Sequence, residues 1–321
     1  EYGRAVIDYD LCVSCGMCLV SCPFSAIVDK SQIFQTVLAL KSDTPIYAAI
    51  APSFIKQFGD NVTPAMVRAA LKAVGFEEME EVAIGADLCA IQEAVDFMKE
   101  VPAKHSWMGT SCCPAWSVMA KKTFPEYADH ISMTLTPMVL TGRMIKKRHP
   151  DCKVVFIGPC AAKKLEASRR SVRSDIDFVL TFEEMMGIFD AKGVDFNNLE
   201  VEELRQTSSS LGKGFAASGG FAEAVVNVLH CIEPDMEVKT VKAEGLVECK
   251  KMLAMAKAGK YDGYLLEGMA CPGGCVGGAG VLSDVRKAKI GLEQDKAKSE
   301  IKKPSQSDYL KYLHLITKEE L

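Results

Sequence analysis

The sequence predicts an α/β fold in which parallel sheets are flanked by helices. From about Pro45 onward, short apolar runs alternate with amphipathic stretches of helical length, and this alternation is typical of parallel strands buried on both faces. Clusters of cysteines directly follow several of these runs, which is where open α/β sheets place their ligands. The 321 residues suffice for one large core and a small appendage. We therefore expect a small segment over residues 1–42 and one large domain over residues 43–321.

Local signals assign strands and helices along the large domain. The apolar run Ile46–Pro52 predicts the first strand. Thr63 followed by Pro64 is an N-cap with proline at the first helical position, so a helix is expected to about Val74. The tail from about Ser283 is rich in Lys and Glu and predicts a helical extension on the surface. Further strands are predicted at 81–84, 107–111, 153–157, 177–180 and 263–266, and further helices at 88–101, 114–124, 137–147, 182–191, 222–231 and 246–258.

Charge and hydropathy exclude two classes of partner. The net charge is −4 and the isoelectric point is near 5.9, and Lys and Arg are spread along the chain rather than clustered. Nucleic-acid binding proteins usually carry a basic patch, so no nucleic-acid partner is expected. No apolar run approaches the roughly 18 residues of a membrane-spanning helix, so no membrane partner is expected either.

The cysteine content indicates metal binding in a reducing compartment. Thirteen cysteines are an odd number in a chain too long for a disulfide-stapled miniprotein, and eight of them fall in tight clusters with metal-ligand spacing. A cytoplasmic protein with iron–sulfur ligands fits this usage. Five cysteines remain outside those eight. Cys112 adjoins one cluster. The other four occur singly, and we interpret them as small hydrophobic core residues: Cys89, Cys152, Cys231 and Cys249.

The first cluster lies near the start of the chain. Cys12, Cys15, Cys18 and Cys22 form the run C-x2-C-x2-C-x3-C-P, which is typical of bacterial ferredoxins and predicts a 4Fe–4S cluster. A zinc knuckle would instead need two C-x2-C pairs separated by a longer loop. In two-cluster ferredoxins the fourth cysteine serves the other cluster. The run occurs once here, so a matching half-motif is expected upstream, and which cluster these four residues hold stays open.

Three further clusters stand at the ends of predicted strands. They are Thr110-Ser-Cys-Cys-Pro-Ala-Trp116, Gly158-Pro-Cys-Ala-Ala-Lys-Lys-Leu-Glu166 and Glu267-Gly-Met-Ala-Cys-Pro-Gly-Gly-Cys-Val-Gly-Gly-Ala-Gly280. Glycines in the last segment allow close backbone approach to a bulky group. One cysteine from each of the first two segments and two from the third supply four thiolates, the ligand number of a 4Fe–4S cluster: Cys113, Cys160, Cys271 and Cys275.

These three segments, in this order, resemble the signature motifs of the iron-only (FeFe) hydrogenases. The resemblance covers nearly the whole chain, including the ferredoxin-like start. It implies two lobes of parallel sheet and helix around a buried metal cofactor. It also implies an H-cluster, in which the 4Fe–4S cluster is bridged through Cys275 to a diiron subcluster carrying CO, CN and azadithiolate, with one or more additional 4Fe–4S clusters at the N-terminus.

The resemblance implies an oxidoreductase of anaerobic hydrogen metabolism. Such an enzyme catalyses the reversible conversion of two protons and two electrons to H2. Its expected partners are H2 and protons, ferredoxin or another electron-carrying domain or subunit, and the maturation proteins that install the diiron site.

By resemblance, further residues surround the diiron subcluster. Lys163 is similar to the lysine that hydrogen-bonds a cyanide; a plain surface lysine is the alternative, which Lys164 fits better. Met269 is similar to a methionine near the bridging carbonyl, and its alternative is an ordinary core residue. The remaining residues implied to line the pocket are Ala51, Pro52, Ser53, Pro159 and Phe215.

The resemblance also implies a proton path. Cys112, adjacent to a cluster ligand, matches the cysteine that passes protons to and from the amine of the subcluster. The relay then maps onto Glu93, Ser132 and Asp96. Glu93 and Asp96 are three residues apart and share one helix face. Asp96 replaces the usual glutamate and is one methylene shorter. Glu166 is expected to pair with a neighbouring charge.

Several positions depart from the family pattern. Gly158 replaces a methionine before Pro-Cys, Met138 stands where a glutamine is common, and Ala279 interrupts the last glycine run. Because groups around a metal site tune its electronics, we expect an altered rate, catalytic bias or inhibitor sensitivity. Two alternatives to a turnover enzyme remain: a hydrogen sensor with low turnover, and a hydrogenase-like iron–sulfur assembly protein without the diiron site.

Overall fold

The computed structural model describes residues 6–316. Residues 1–5 and 317–321, which form the outer ends of the two predicted domains, lie outside the described residues. The helices are α1 Met17–Ser21, α2 Ile33–Leu40, α3 Pro64–Val74, α4 Ala83–Glu100, α5 Pro114–Thr123, α6 Pro137–Arg148, α7 Ala162–Ala167, α8 Phe182–Ala191, α9 Ser210–Gly214, α10 Gly220–Ile232, α11 Leu246–Lys257 and α12 Val285–Lys298. The strands are β1 Ile46–Ile50, β2 Glu78–Glu81, β3 Met108–Gly109, β4 Lys153–Gly158, β5 Phe178–Thr181, β6 Lys239–Glu244 and β7 Tyr264–Met269.

The first sheet has the strand order β2-β1-β4-β5, and its three pairings are parallel. Strand β1 is buried along its whole length, as expected for a central parallel strand covered on both faces. Helices α3, α6 and α8 pack against this sheet, and the apolar side chains between them form one continuous core.

The second sheet has the order β3-β7-β6 and is also parallel. Its central strand β7 is buried from Leu265 to Met269. Helices α5 and α11 pack on one side around Trp107 and Trp116, while α4 and α10 pack around Leu265 and Phe221. Helix α4 also contacts α6 of the first lobe and so joins the two lobes. The predicted fold, parallel sheets flanked by helices in two lobes, is confirmed.

The predicted boundaries between residues 78 and 88 differ most from the structure. The strand expected at residues 81–84 lies at Glu78–Glu81, and helix α4 begins at Ala83 rather than near Leu88. Parallel pairing with β1 fixes this strand, because Glu81 is the partner of Ile50. Helix α4 then starts at once, and Gly85 permits its close approach to the backbone of Pro137 on α6. Tertiary packing decides this boundary.

Two other predictions need correction. Cys231 lies exposed on α10 and is not a core residue, unlike the buried Cys89, Cys152 and Cys249. The tail helix α12 is not wholly a surface element, because Ala288 and its neighbours Gly291 and Leu292 are buried. None of the helices described over residues 6–316 is both long and apolar enough to cross a lipid bilayer.

Candidate metal-cofactor site

The carboxyl ends of strands from both sheets meet at one cavity with an empty volume of about 750 Å³. Residues following β1, β3, β4 and β7 line it, so the two lobes contribute in common. Its walls include every ligand predicted for the central cluster, Cys112, Lys163 and all six residues implied to surround the subcluster, namely Ala51, Pro52, Ser53, Pro159, Phe215 and Met269.

Each of the four predicted ligand cysteines is placed by a different turn. Cys113 is the N-cap residue of α5, and Cys160 lies between β4 and α7. Cys271 directly follows the segment leaving β7, and Cys275 begins a short 3₁₀ turn. All four thiols are unpaired and half-buried. Among the described residues no three ligand groups lie close enough for a single metal ion, whereas a 4Fe–4S cluster takes one thiolate at each of four irons.

Glycine allows the third motif to bend around the cavity. Gly274 has a φ of 89°, a conformation that costs other residues strain, and a Cβ there would lie 2.5 Å from the backbone nitrogen of Ser218. A Cβ at Gly278 would likewise lie 2.5 Å from the carbonyl oxygen of Pro159. The loop is therefore pressed against both the second motif and the segment before α10.

The thiols affect one another electrostatically. Burial and, after it, the charges of the neighbouring cluster thiols raise the pKa of Cys160 to about 11 and that of Cys275 to about 12. The pKa of Cys271 is raised for the same reasons. Four thiolates this close need positive charge between them, which iron provides. The donor set therefore fits a 4Fe–4S cluster.

A buried ion pair stands at the edge of the cavity. Lys163 Nζ donates to Glu166 Oε2 at 2.7 Å, and both side chains are about nine-tenths buried. Burial lowers the pKa of Lys163, but the carboxylate of Glu166 and the thiols of Cys160 and Cys112 outweigh it, and the pKa is raised. Lys163 thus stays cationic, and Glu166 makes the expected pairing. Lys164 instead pairs with Glu184 and Asp29 away from the cavity.

The part of the cavity wall that follows β1 leaves a hydrogen-bonding atom unused. Ser53 is 1% exposed, lines the cavity, and its hydroxyl finds no hydrogen-bond partner within residues 6–316. A buried hydroxyl without a partner is costly, so a polar ligand at this wall would satisfy it. Together with the cation of Lys163, this wall fits a second, anionic group beside the 4Fe–4S site.

The departures from the family pattern have structural counterparts. A Cβ at Gly158 would lie 2.6 Å from the ring of Phe156, which itself lines the cavity. The ring of Phe156 thus occupies the space that a larger residue at position 158 would need. Met138 also lines the cavity. Ala279 contacts the N-terminal segment, because a Cβ at Gly16 would lie 2.7 Å from its methyl group.

The structure places one member of the predicted proton path at the cavity and a second one against the neighbouring residue Ser111. Cys112 lines it, and burial raises the pKa of its thiol well above the usual value. Glu93 on α4 is fully buried and accepts hydrogen bonds from the backbone N–H of Ser111 at 3.3 Å and from its hydroxyl at 2.9 Å. Burial raises the pKa of Glu93 to about 8, although the hydroxyls of Ser111 and Ser132 oppose the shift.

The outer part of the path contains a residue that the sequence reasoning missed. Thr134 donates from its backbone N–H to Ser132 Oγ at 3.1 Å and from its hydroxyl to Asp96 Oδ2 at 3.1 Å. Asp96 also accepts from Gln92. Thr134 therefore lies between Ser132 and Asp96, while Ser111 adjoins Glu93. Ser111 was visible beside Cys112 in the first motif, whereas no local pattern singles out Thr134.

The N-terminal cysteines lie outside the cavity wall. Cys15 is half-buried and packs on the core that also contacts Cys160, and its charge contributes to the raised pKa of Cys271. Cys18 is exposed, and Cys22 Sγ accepts from the backbone N–H of Ala26. The segment is held by Lys122, whose ammonium donates to the backbone carbonyls of Tyr9, Asp10 and Cys12.

Comparison with known families agrees with this architecture. The sequence model of the iron-only hydrogenase large subunit, C-terminal domain, matches residues 44–279. The chain belongs to the iron-only hydrogenase family. A 4Fe–4S binding domain model also matches residues 5–28, so the family member carries a 4Fe–4S binding motif ahead of its hydrogenase region.

Curated relatives of this hydrogenase-family chain fall into two groups. Iron hydrogenase 1 of Clostridium pasteurianum is 28% identical over 80% of the chain and 54% of its own length. Protein NAR1 of Arabidopsis thaliana is 24% identical over 88% of the chain and 74% of its own length, and a bovine relative is named cytosolic iron-sulfur assembly component 3. The chain spans little more than half the length of the hydrogenase relatives.

Solved structures show the same fold. The apo FeFe-hydrogenase HydA1 of Chlamydomonas reinhardtii superposes with a TM-score of 0.76 at 21% identity, covering 89% of this chain and 94% of that one. A structure described as revealing stepwise H-cluster assembly superposes with a TM-score of 0.74. The distant identities are consistent with a less-studied branch of the iron-only hydrogenase family.

Proposed function

We propose that the chain is an FeFe hydrogenase that interconverts H2 with two protons and two electrons. One observation carries this proposal: Cys112, Lys163 and the unsatisfied hydroxyl of Ser53 share a cavity with all four cluster cysteines. A 4Fe–4S cluster alone would need only the four thiolates. The additional proton carrier, cation and hydrogen-bond donor support a second cofactor with negative charge and proton chemistry.

The residues of the chain have distinct roles in this proposal. Cys113, Cys160, Cys271 and Cys275 would hold the 4Fe–4S cluster, with Cys275 bridging to the diiron subcluster. When bound, that group supplies the metal site at which protons are reduced or H2 is split. Six further residues line the cavity and would surround the subcluster, namely Ala51, Pro52, Ser53, Pro159, Phe215 and Met269.

Lys163 and Cys112 contribute charge and a proton. The ammonium of Lys163 retains donor capacity beyond its bond to Glu166, because an ammonium has three N–H groups. It would neutralise cyanide in a buried site where an unpaired anion is costly. The high pKa of Cys112 keeps its thiol protonated and able to donate. Glu93, with a pKa of about 8, is suited to exchange protons near neutral pH.

Beyond Glu93, the proposed path continues outward. Ser132 lies beside its carboxyl and accepts from Thr134, whose hydroxyl reaches Asp96. No described hydrogen bond joins Cys112 directly to Glu93, so a water would complete that step. Because Ser132 accepts from the backbone N–H of Thr134, a water would join the hydroxyls of Ser132 and Thr134 in the proton path.

Electrons would enter through the N-terminal segment, residues 1–42, which we propose as a unit separate from the hydrogenase domain, residues 43–321. Its proposed ligands are Cys12, Cys15, Cys18 and Cys22. Of these, Cys15 contributes by its charge to the raised pKa of Cys271. Ferredoxin or another electron-carrying domain or subunit would deliver the electrons. All thirteen cysteines are unpaired, which supports a reducing, cytoplasmic setting and an anaerobic role.

Infrared spectroscopy combined with an H2-evolution assay tests the proposed function. The full chain would be matured with the proteins that install a diiron site, and we expect CO and CN bands together with turnover. The Cys112→Ala variant should keep the bands and lose most turnover, because a positioned proton carrier contributes about 10²–10⁴-fold. Cys231→Ala removes an exposed cysteine that does not line the cavity and should change neither readout.

The same experiment separates the alternatives. CO and CN bands with negligible turnover in the wild-type chain would favour a hydrogen sensor. An iron–sulfur assembly protein is also supported by one observation, since the NAR1-type relatives match 87–88% of the chain. Absence of bands, in a maturation system that loads a known hydrogenase, would overturn the enzyme proposal in favour of that role.

A further inference from the structure

A second cavity lies behind the first motif, with an empty volume of about 670 Å³. In contrast to the cofactor cavity, it is rich in hydroxyl groups. The polar residues that line it are Ser111, Ser117, Lys121, Ser132, Thr134, Thr136, Glu166, Arg169 and Ser171. Arg169 and Ser171 are exposed, so the cavity opens towards solvent at that end. The hydroxyl of Thr136 is buried and has no protein partner in the described part of the chain, which suits a site that holds water.

The first motif forms the wall between the two cavities. Ser111 lines the polar cavity, the next residue Cys112 lines the cofactor cavity, and Pro114 lines both. Ser111 thus borders the polar cavity while its hydroxyl is bonded to Glu93, the buried acid of the proposed relay.

Ser111 has two acceptors within reach. Its Oγ lies 2.9 Å from Glu93 Oε1 and 2.9 Å from the carbonyl oxygen of Thr134. A hydroxyl has one proton and two lone pairs, so it donates to only one of them at a time. When Glu93 is ionised, Ser111 donates to it. When Glu93 is protonated, Glu93 donates to Ser111 Oγ, and the hydroxyl proton of Ser111 turns towards Thr134 or water in the polar cavity.

We propose that Ser111 transfers the proton of Glu93 to water in this second cavity, which gives the chain a proton outlet separate from Asp96. In each transfer Ser111 Oγ takes the proton of the Glu93 carboxyl and releases its own proton to water, so Ser111 is unchanged and Glu93 becomes a carboxylate. The inference rests on the proposed function for its role in turnover. The transfer itself depends only on residues of this chain.

The test follows exchange of the Glu93 carboxyl proton with D2O by time-resolved infrared spectroscopy. It uses the full chain with its 4Fe–4S clusters at about pH 6, below the pKa of about 8, where Glu93 is protonated. The band is assigned by its loss in Glu93→Gln. Ser111→Ala removes the relay but leaves the backbone bond from residue 111 to Glu93. Ser111→Thr keeps a hydroxyl, and Asp96→Asn interrupts the other route.

We expect Ser111→Ala to slow the exchange about tenfold or more, while Ser111→Thr stays near the wild-type rate. A second variant, Ser171→Trp, fills the exposed mouth of the polar cavity without touching Glu93 and should also slow exchange. Wild-type exchange rates in both Ser111→Ala and Ser171→Trp, with slowing in Asp96→Asn alone, would overturn the proposal.

Failure of the Ser111 proposal can be distinguished from failure of the proposed hydrogenase function. The exchange measurement needs no diiron subcluster, so it gives a result even if the matured chain shows no CO or CN bands. In a chain that does turn over, Ser111→Ala should lower H2 evolution and Ser111→Thr should restore it. Loss of turnover in Ser111→Ala with unchanged Glu93 exchange would count against the outlet and indicate a packing role.

Discussion

Glu93 is a carboxyl group with no exposed surface, placed on the helix that joins the two lobes. Its pKa in the folded chain is about 8, against an ordinary value of 4.5, because burial disfavours the charged form. Between these two values the unfolded chain releases the proton and the folded chain keeps it. The contribution of Glu93 to folding stability therefore falls as the pH rises from about 4.5 to about 8 and then levels off.

Replacing Glu93 by glutamine should remove this pH dependence. The glutamine amide would stay neutral and could still accept from Ser111, so the Glu93→Gln chain should gain stability relative to wild type as the pH rises through that window. Urea unfolding midpoints at several pH values measure the difference. Other buried acids such as Asp87, whose pKa burial raises to about 7, affect both chains equally.

A matched substitution controls for the loss of one negative charge. Glu77 is exposed, and Glu77→Gln removes one carboxylate without touching Glu93, so it serves as the control variant. If wild type and Glu93→Gln instead give parallel curves, Glu93 is not held protonated in the folded chain, and its assignment as a relay acid loses support.

The ion pair of Lys163 and Glu166 has separable structural and cofactor roles. Lys163→Met leaves the carboxylate of Glu166 buried without its partner, and breaking a buried pair costs about 3–5 kcal/mol. The double variant Lys163→Met/Glu166→Gln removes both charges and should recover most of that stability. We expect it to bind the 4Fe–4S cluster but to show weak CO and CN bands, because the cation facing the cavity is gone.

Thermal unfolding and infrared spectra of the two variants test this separation. Recovered stability together with absent CO and CN bands supports a direct role for the ammonium in holding the diiron group. Full CO and CN bands in the double variant would show that Lys163 serves folding alone.

At the scale of elements, helix α9 sets one wall of the cofactor cavity. Gly212 in α9 packs so closely on α4 that an added Cβ would overlap the carboxylate of Asp87 and lie 2.6 Å from the carbonyl oxygen of Ala83. Asp87 also accepts from the backbone N–H and hydroxyl of Ser209, the N-cap of α9. The next residue after α9 is Phe215, which lines the cavity.

Gly212→Ala should therefore push α9 away from α4 and displace Phe215. Overpacking of this kind costs about 1–3 kcal/mol, and we expect lower stability with weaker retention of the cofactor. Gly187→Ala on helix α8 is the matched control, because nothing lies within 4 Å of its added Cβ. In a helix that change stabilises by about 0.5–1 kcal/mol. Equal urea midpoints for both variants would contradict the close packing of α9.

The elements that sequence reasoning found or missed differ in burial. Strands β1 and β4 are continuous apolar runs, and the pattern alone identified them. Strand β6, Lys239–Glu244, is an edge strand that is mostly exposed, and half of its residues are charged. It therefore has no apolar signature that would predict it. Cys231 was assigned to the core by its residue type, but the helical period places it on the exposed face of α10.

The candidate site was predictable to the extent that its residues lie in the motifs. The four cluster cysteines, Cys112 and Lys163 lie within short patterns, and the fold then brings them to one cavity. Thr134 and the unsatisfied hydroxyl of Ser53 depend on contacts between distant segments. Such contacts follow from tertiary packing, which spacing in the sequence does not reveal.

At the scale of the whole molecule, the N-terminal segment docks on the hydrogenase domain through a very close backbone contact. Gly16 has a φ of 77°, and a Cβ there would lie 2.7 Å from Ala279 and 3.1 Å from Ala161. Gly16→Ala should lift the ligand loop away from the cofactor cavity. We expect weaker magnetic coupling between the N-terminal and central clusters in electron paramagnetic resonance spectra of the reduced protein.

Two further variants separate the effect of the close contact at Gly16 from the effect of backbone strain. Gly193→Ala has a similar φ of 65° but nothing within 4 Å of the added Cβ, so it reports backbone strain alone, roughly 1–2 kcal/mol. Gly16→Ala/Ala279→Gly removes the opposing methyl group and should restore much of the coupling. Unchanged spectra in Gly16→Ala would mean that the two clusters communicate without this contact.

The cavity draws its ligands from both lobes, and this has a consequence for biosynthesis. Cys160 follows β4 of the first sheet, whereas the other three ligands follow β3 and β7, which pair with each other in the second sheet. Ribosomes add about 5–20 residues per second, so Cys113 leaves the ribosome roughly ten to thirty seconds before Cys275. During that interval the early thiols are held by an incomplete chain. Insertion of the complete iron–sulfur cluster must therefore follow translation of the third motif. Until then, the nascent chain depends on a reducing environment that protects its free thiols from oxidation.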